Sequence, residues 1–129
     1  MKPGFIVYKG TAFTIEWYAD ERGHSEALRY YESLPVERRV KLMKLLRIMG
    51  EVGKIFNTTK FRSEGDQIFA FKPQPDRFLC FFFSGRKIII TNGFHKKSDK
   101  LPKEEKERAL KYKTEYTNRV RDGGYYDQE

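Results

Sequence analysis

The chain has 129 residues, a length that suits one compact domain and excludes a two-domain enzyme. Lysine and arginine together number 26 against 18 acidic residues, so the formal net charge is +8. This charge favours polyanions or acidic proteins as binding partners. Aromatic residues make up 16% of the chain, which excludes a disordered basic tail. We therefore expect a single domain over residues 1–129, with a firm part from residue 13 to residue 119.

The first half of the chain predicts a strand followed by two helices. Residues 1–12 contain two glycines and a proline, and we interpret them as a leader or a loosely attached first strand. From Thr11 to Tyr18 apolar and polar residues alternate, as in a half-buried strand. From Ser25 to Leu34 apolar residues recur at helical spacing. Pro35 ends this helix and begins a second one that reaches about Val52, and two consecutive amphipathic helices predict an antiparallel hairpin.

The second half of the chain changes to a strand pattern and closes with a helix. Three short strands are predicted over residues 68–72, 77–83 and 87–94, joined by turn sequences as an antiparallel meander. Pro102 begins a third helix that runs to about Arg119, and residues 120–129 lack periodicity and are expected to be mobile. The predicted order is β-α-α-β-β-β-α. This is an α+β fold in which a helix hairpin and a C-terminal helix pack on a small, mainly antiparallel sheet.

No familiar catalytic or metal-binding motif is present. The chain lacks a phosphate-binding P-loop, a dinucleotide fingerprint and the short motifs of zinc proteases and serine hydrolases. Its only histidines and cysteine are His24, His95 and Cys80, which do not make up a zinc set, and a lone cysteine cannot form an internal disulfide. The carboxylates lack the paired spacing of a two-metal nuclease. We expect neither a metal nor a cofactor.

The cysteine content and the hydropathy of the chain indicate in which cellular compartment the protein is found. The single cysteine lies inside the apolar run from Phe78 to Phe83, which favours a reducing cytoplasm. That run is also the longest uninterrupted apolar stretch, far below the ~18 residues that a membrane span requires. A cytoplasmic protein without membrane contact is expected.

Cations are concentrated between residues 60 and 100, where nine basic residues stand against four acidic ones. The turn between Lys72 and Arg77 brings these two side chains near each other at one edge of the sheet, and Lys96 and Lys97 follow the last strand. Such a cluster can hold a phosphodiester and stabilise the extra negative charge of a phosphorane-like transition state without a metal. The alternative is a solvated rim that keeps the protein soluble. The nine basic residues are Lys60, Arg62, Lys72, Arg77, Arg86, Lys87, Lys96, Lys97 and Lys100.

Three further side chains could transfer protons. His95 lies between the last strand and the lysine pair, and histidine can act as a general base or acid near neutral pH. A merely exposed or structural histidine is the alternative. Tyr112 and Tyr116 are one helical turn apart and could protonate a leaving oxygen, or they could simply pack against the sheet.

Together these features resemble the RelE/ParE toxin superfamily, in particular the phage-derived HigB-like branch of type II toxin–antitoxin systems. The resemblance rests on the helix hairpin, on the basic strand pair with Lys72 and Arg77, on the apolar strand that ends in Gly-Phe-His-Lys-Lys-Ser, and on Pro102 and Ala109 in the last helix. It covers the chain from Phe13 to Tyr116. One departure is that the strand before Arg77 lacks the acidic residue common in the family and carries lysine for arginine, a point charge without a bidentate fork.

The resemblance implies a cytoplasmic toxin that cleaves mRNA, often in the ribosome, and is silenced by an antitoxin, commonly a helix-turn-helix protein. The RNA 2′-hydroxyl would attack the adjacent phosphorus to give a 2′,3′-cyclic phosphate, with cations in place of a metal. Lys72 and Arg77 would grip the phosphate, and His95, Lys96 and Lys97 would supply charge or proton transfer as the remaining catalytic candidates. The candidate RNA-binding residues are Lys60, Arg62, Arg86, Lys87 and Lys100.

Two alternatives keep the fold but change the function. The related ParE branch inhibits DNA gyrase, an activity with no nuclease chemistry. A non-catalytic basic module that binds RNA or an acidic partner, as a relic of a toxin, is the other.

Overall fold

A computed structural model describes residues 5–126 as six strands and three helices. The strands are β1 (Ile6–Lys9), β2 (Thr14–Trp17), β3 (Phe61–Ser63), β4 (Phe69–Phe71), β5 (Asp76–Phe83) and β6 (Lys87–His95). The helices are α1 (Glu26–Glu32), α2 (Val36–Val52) and α3 (Lys103–Arg121). The strands form one sheet in the order β1-β2-β6-β5-β4-β3, in which only β2 and β6 pair in parallel. The predicted α+β fold with a mainly antiparallel sheet is confirmed.

Two short strands extend the predicted sheet at its edges. Residues 6–9 form β1 and pair with β2, so the interpretation of residues 1–12 as containing a first strand holds for the part that the structure describes. Residues 61–63 form β3 and pair with β4. The sequence analysis missed β3 because three residues with one apolar side chain carry too little periodicity to detect.

The helix hairpin covers one face of the sheet. Ser25 caps α1 by accepting a hydrogen bond from the Leu28 amide at 3.2 Å, and α2 ends at Gly53, whose φ of 85° suits glycine. Leu42, Leu46 and other apolar residues of α2 are buried against the sheet. The buried apolar residues of α2 end at Met49, since Val52 near the end of the helix is 68% exposed.

Helix α3 covers the other face, where Ala109 and Tyr116 pack on Leu79, Phe81 and Ile89. Strands β5 and β6 are therefore buried on both faces, as their continuous apolar runs predict. No helix within residues 5–126 is long and apolar enough to cross a membrane.

The chain after α3 contributes to this second core. We expected residues 120–129 to be mobile, but α3 continues to Arg121 and the chain then turns back at Gly123, whose φ is 80°. The ring of Tyr125 lies 4.6 Å from that of Tyr116, and its hydroxyl accepts a hydrogen bond from the Ala19 amide at 3.1 Å. Aromatic packing of this kind leaves no periodic signal in so short a segment. Residues 127–129 lie outside the described residues.

Candidate functional site

The cations of four strands meet in one cleft on the α3 face of the sheet. Side chains alternate along a strand, so the registers of β3, β4 and β5 place Arg62, Lys72 and Arg77 on the same face. The loop after β6 closes the cleft with further lysines. We call this site the cationic cleft. Its six cations and two carboxylates are Arg62, Lys72, Arg77, Lys96, Lys97, Lys100, Glu64 and Asp99.

Arg77 lies at the base of the cationic cleft and is only 8% exposed. Its Nη1 donates to the Asp76 carbonyl at 3.0 Å and to Gln74 Oε1 at 3.3 Å, both neutral acceptors. Within residues 5–126 no carboxylate forms a salt bridge with this guanidinium. Burial lowers the pKa of Arg77 and the charges of Glu64 and Asp99 partly offset this effect, and an arginine stays charged at neutral pH. The cleft thus holds a buried positive charge that no carboxylate of residues 5–126 contacts directly.

Lys72 adds a second positive charge to the cationic cleft. Its Nζ donates only weakly, to the Thr58 carbonyl at 3.5 Å. Burial lowers the pKa of Lys72, and the neighbouring cations Arg62, Arg77 and Lys96 lower it further. An anion in the cleft would relieve this repulsion, because it favours the charged form of every lysine and arginine around it.

Lys96 is the best neutralised cation of the cleft. Its backbone amide donates to the Pro75 carbonyl at 2.8 Å, which ties the end of β6 to the turn before Arg77. Its Nζ lies 2.7 Å from Asp99 Oδ1, and the bond to Lys96 lowers the pKa of Asp99. The Asp99 side chain is 97% exposed, so an incoming phosphate can displace it at little cost.

Glu64 is a member of the cationic cleft that the sequence analysis counted only as a negative charge. Its side chain is 11% exposed, and its Oε2 lies 3.6 Å from Arg62 Nε. It follows β3 directly, two residues after Arg62, which places both on the same face of the strand. Since β3 was not predicted, this alternation could not be read from the sequence. Glu64 is the shielded carboxylate of the cleft and can accept a proton there.

His95 does not join the cationic cleft. It pairs with Asp76 across β5 and β6, whereas the residues on either side of it, Phe94 and Lys96, line the cleft. Strand alternation therefore turns His95 to the helix-hairpin face, where it is exposed. The structure therefore places this predicted catalytic residue outside the cationic cleft.

Three of the predicted RNA-binding residues also lie outside the cleft. The Lys60 carbonyl accepts a bond from the Lys72 amide at 2.8 Å, which puts Lys60 beside the cleft at the sheet edge. Arg86 lies in the β5–β6 turn and Lys87 begins β6, roughly 26 Å along the strand from its other end. Lys87 Nζ lies 3.7 Å from the buried Glu16 and 3.8 Å from the centre of the Tyr126 ring. Its charge offsets that carboxylate, so the predicted RNA contact of Arg86 and Lys87 is not part of this site.

Comparison with known proteins identifies the family. A family model described as phage derived protein Gp49-like (DUF891) matches residues 29–114. The chain belongs to this family. No curated protein matches the chain. The Gp49-like family is a RelE-like toxin family of toxin–antitoxin systems, and the matched residues extend from α1 to α3.

The Gp49-like match contains the whole cationic cleft, since its lining residues fall between Arg62 and Pro102. The two tyrosines that might have served as acids lie elsewhere. Tyr116 is fully buried, and Tyr112, whose hydroxyl donates to Glu26 at 2.8 Å, is not among the residues that line the cleft. Both tyrosines pack in the core between α3 and the sheet, which is the alternative interpretation of this pair. Across residues 5–126 no three histidine, cysteine or acidic side chains stand close enough to hold a metal ion.

Proposed function

We propose that this protein is the toxin of a type II toxin–antitoxin system of the HigB-like branch, and that it cleaves mRNA without a metal in the cationic cleft. The observation that carries the proposal is the buried guanidinium of Arg77, which the described residues leave without a carboxylate partner. Burying a charge is costly unless an opposite charge compensates it. A protein retains such a group where a ligand supplies the negative charge.

A phosphodiester fits this requirement. Among residues 5–126 Arg77 uses only Nη1 for hydrogen bonds to the protein, which leaves Nε and Nη2 for two phosphate oxygens. Lys72 and Lys96 lie around the same space as point charges. The phosphate would take over Lys96 from the exposed Asp99 and would remove the repulsion among the cations. Phosphate binding is therefore favoured both by the hydrogen bonds it forms and by the loss of repulsion among the cations of the cleft.

The same residues can carry the chemistry of RNA cleavage. Glu64 accepts the proton of the 2′-hydroxyl as this oxygen attacks the adjacent phosphorus. Arg77 and Lys72 stabilise the added negative charge of the phosphorane-like transition state. The bond to the 5′-oxygen then breaks, and a lysine ammonium protonates the leaving oxygen. Lys72 can fill this role because it lines the cleft beside Arg77. The products are a 2′,3′-cyclic phosphate and a 5′-hydroxyl.

The resemblance extends the proposal to the cellular context. We place the protein in the cytoplasm, with ribosome-associated mRNA as its substrate and a helix-turn-helix antitoxin as its inhibitor. Lys97 and Lys100, which are exposed at the rim of the cleft, would contact the RNA backbone on either side of the cut.

The proposal is tested with the purified protein, a labelled RNA and EDTA, with and without ribosomes. We expect cleavage that EDTA does not affect, products that end in a 2′,3′-cyclic phosphate, and loss of cleavage in Arg77→Gln and in the double variant Lys96→Ala, Lys97→Ala. Arg86→Ala is the matched control, since Arg86 is an exposed cation at the other end of β5 and β6. Circular dichroism shows whether each variant is folded.

Other outcomes would select a different function. Intact RNA together with gyrase-dependent DNA breaks after induction in cells would favour a gyrase inhibitor. RNA binding with a steep salt dependence but without products would favour a non-catalytic module. Folded Arg77→Gln with full cleavage activity would remove Arg77 from the site.

A further inference from the structure

Helix α2 exposes an unusual amount of apolar surface. Seven large hydrophobic residues are exposed within residues 5–126, and four of them lie on this helix. Val36 and Val40 are 65% and 44% exposed, and Ile48 and Val52 are 45% and 68% exposed. A concentration of exposed apolar side chains on one element is a common mark of a protein-binding surface.

Part of this surface forms a groove between the two helices of the hairpin. Val36, Val40 and Met43 follow one another at spacings of four and three residues and so lie along one side of α2, with Tyr31 of α1 beside them. The buried residues Leu42 and Leu46 belong to the side that packs on the sheet. The groove therefore faces away from the core, and we call it the α2 groove.

Cations surround the apolar floor of the α2 groove. Its remaining lining residues are Arg39, Lys44 and Arg47, and none of the acidic residues in the described part of the chain lines it. Arg39 is held in place because its Nε donates to the Leu34 carbonyl at 2.8 Å and its guanidinium lies 5.9 Å from the centre of the Tyr31 ring. The groove combines an apolar strip with a positive rim.

We propose that the α2 groove binds an acidic amphipathic helix of a partner protein. Apolar residues on one face of such a helix would cover Val36, Val40 and Met43, and glutamates or aspartates beside them would meet Lys44 and Arg47. The lining residues of α2 extend from Val36 to Arg47, about 17 Å along the helix axis, which offers room for about three turns of a partner helix.

Two other occupants fit the groove less well. A second copy of this chain would bring its own cationic rim against Lys44 and Arg47. An RNA strand would satisfy the rim but would leave the aliphatic floor of Val36, Val40 and Met43 without an apolar partner. The aromatic floor residue Tyr31 already packs against Trp17 at 5.4 Å and lies 5.9 Å from Arg39, so it is not a free stacking surface for a base.

The α2 groove is independent of the proposed nuclease site. The helix hairpin covers one face of the sheet, and the cationic cleft lies on the face that α3 covers. A partner can therefore occupy the groove while the cleft stays open to substrate. Failure of the nuclease proposal leaves this inference intact.

The test measures binding of a designed peptide to the full-length protein by fluorescence anisotropy. The probe is a labelled helical peptide of about 18 residues with leucines on one face and glutamates beside them. The control peptide has the same composition, with both residue types spread around the helix. We expect the amphipathic peptide to bind at least about tenfold more tightly than the control.

Paired variants locate the binding surface. Val40→Lys and Lys44→Glu should each weaken binding of the amphipathic peptide by about tenfold or more. Ile6→Lys, at a 40% exposed position on β1, and Lys111→Glu, at an exposed position on α3, make the same changes elsewhere and should leave the affinity unchanged. Thermal melting shows that each variant remains folded.

Three results would overturn the inference. The first is equal binding of both peptides, or equal loss in a variant and its control. The second is tight binding of a 2′-O-methyl RNA oligonucleotide that displaces the peptide and is itself lost in Lys44→Glu, which would assign the groove to RNA. The third is self-association of the protein that Val40→Lys abolishes, which would assign it to a second copy.

Discussion

Arg77 donates a hydrogen bond at 3.0 Å to the backbone carbonyl of Asp76, the residue before it, whose carboxylate is anchored on the opposite face of the sheet. There Arg38 of α2 binds Asp76 with Nε at 3.0 Å and Nη2 at 2.6 Å, and the Tyr30 hydroxyl donates to the same carboxylate. The helix hairpin thus holds the peptide that orients Arg77 in the cationic cleft. Two neighbouring residues connect the hairpin to the cleft through one peptide unit.

The Arg38–Asp76 pair should contribute strongly to stability. Asp76 is fully buried, so Arg38→Ala would leave its charge without its main partner and should lower the free energy of unfolding more than Tyr30→Phe does. Tyr30→Phe removes one hydrogen bond and should cost about 1–3 kcal/mol. Urea denaturation at pH 7 measures both. A change below about 0.5 kcal/mol in Arg38→Ala would contradict the assignment.

The Arg38–Asp76 pair also predicts how the free energy of unfolding changes at low pH. Burial alone would raise the pKa of Asp76, but the bonds from Arg38 and Tyr30 outweigh it and the pKa is lowered. An aspartate whose pKa is lowered by folding stabilises the protein above its unfolded value of about 3.9, and this contribution is lost as the pH falls through the folded value. Arg38→Ala should therefore flatten the fall in stability below about pH 4. Arg86→Ala, at an exposed turn, should retain the parent profile.

Lys72 should limit RNA binding at high pH. Because burial and neighbouring cations lower its pKa, affinity for an uncleavable 2′-deoxy oligonucleotide should fall at a pH below the ordinary lysine value of about 10.4. Lys72→Arg should keep its affinity to higher pH, since arginine stays charged. Anisotropy titrations between about pH 7 and pH 10 measure this. Lys60→Arg, at the neighbouring edge position, is the control, and identical profiles for both variants would exclude Lys72 as a phosphate ligand.

Glu64 should act in the chemical step and not in binding. Glu64→Gln keeps the shape of the side chain but cannot accept the proton, so the cleavage rate should fall by about 100-fold or more. Affinity for the 2′-deoxy oligonucleotide should stay the same or rise slightly, since a negative charge is removed from the cationic cleft. Glu104→Gln makes the same change at an exposed position in α3. Equal cleavage by Glu64→Gln and the parent protein would assign the proton transfer to another group.

The tyrosine after α3 should make the protein sensitive to alkali. Burial raises the pKa of Tyr125 to about 12, so the folded state keeps the proton that the unfolded state loses near pH 10. Stability from this group is present below about pH 10 and is lost as the pH rises towards the folded value. Tyr125→Phe should cost about 1 kcal/mol at pH 7, through the lost bond to the Ala19 amide, and should reduce the alkaline slope. Urea denaturation between pH 7 and the highest pH at which unfolding is reversible tests both, and an unchanged slope would contradict the assignment.

Some elements could be predicted from the sequence because their signal is local. The continuous apolar runs of β5 and β6 predict that other elements cover both faces of the sheet. The spacing of Leu42 and Leu46 predicts an amphipathic helix that can cover one of these faces. Short elements carry no such signal. Strand β3 has three residues, and without it the position of Glu64 beside Arg62 could not be foreseen. The packing of Tyr125 depends on contacts with Tyr18 and Tyr116, which lie far from it or on another element.

The sequence by itself determined the type of fold and the location of the excess charge between residues 60 and 100, since periodicity and composition are properties of short segments. Tertiary structure alone decided which of those charges act together. Side chains of one strand are kept apart when they point to opposite faces of the sheet or lie at opposite ends of the strand. His95 is separated from Lys96 in the first way, and Lys87 is separated from it in the second. Residues far apart in the chain converge when the strand registers match, which brings Arg62 and Arg77 into the same cleft.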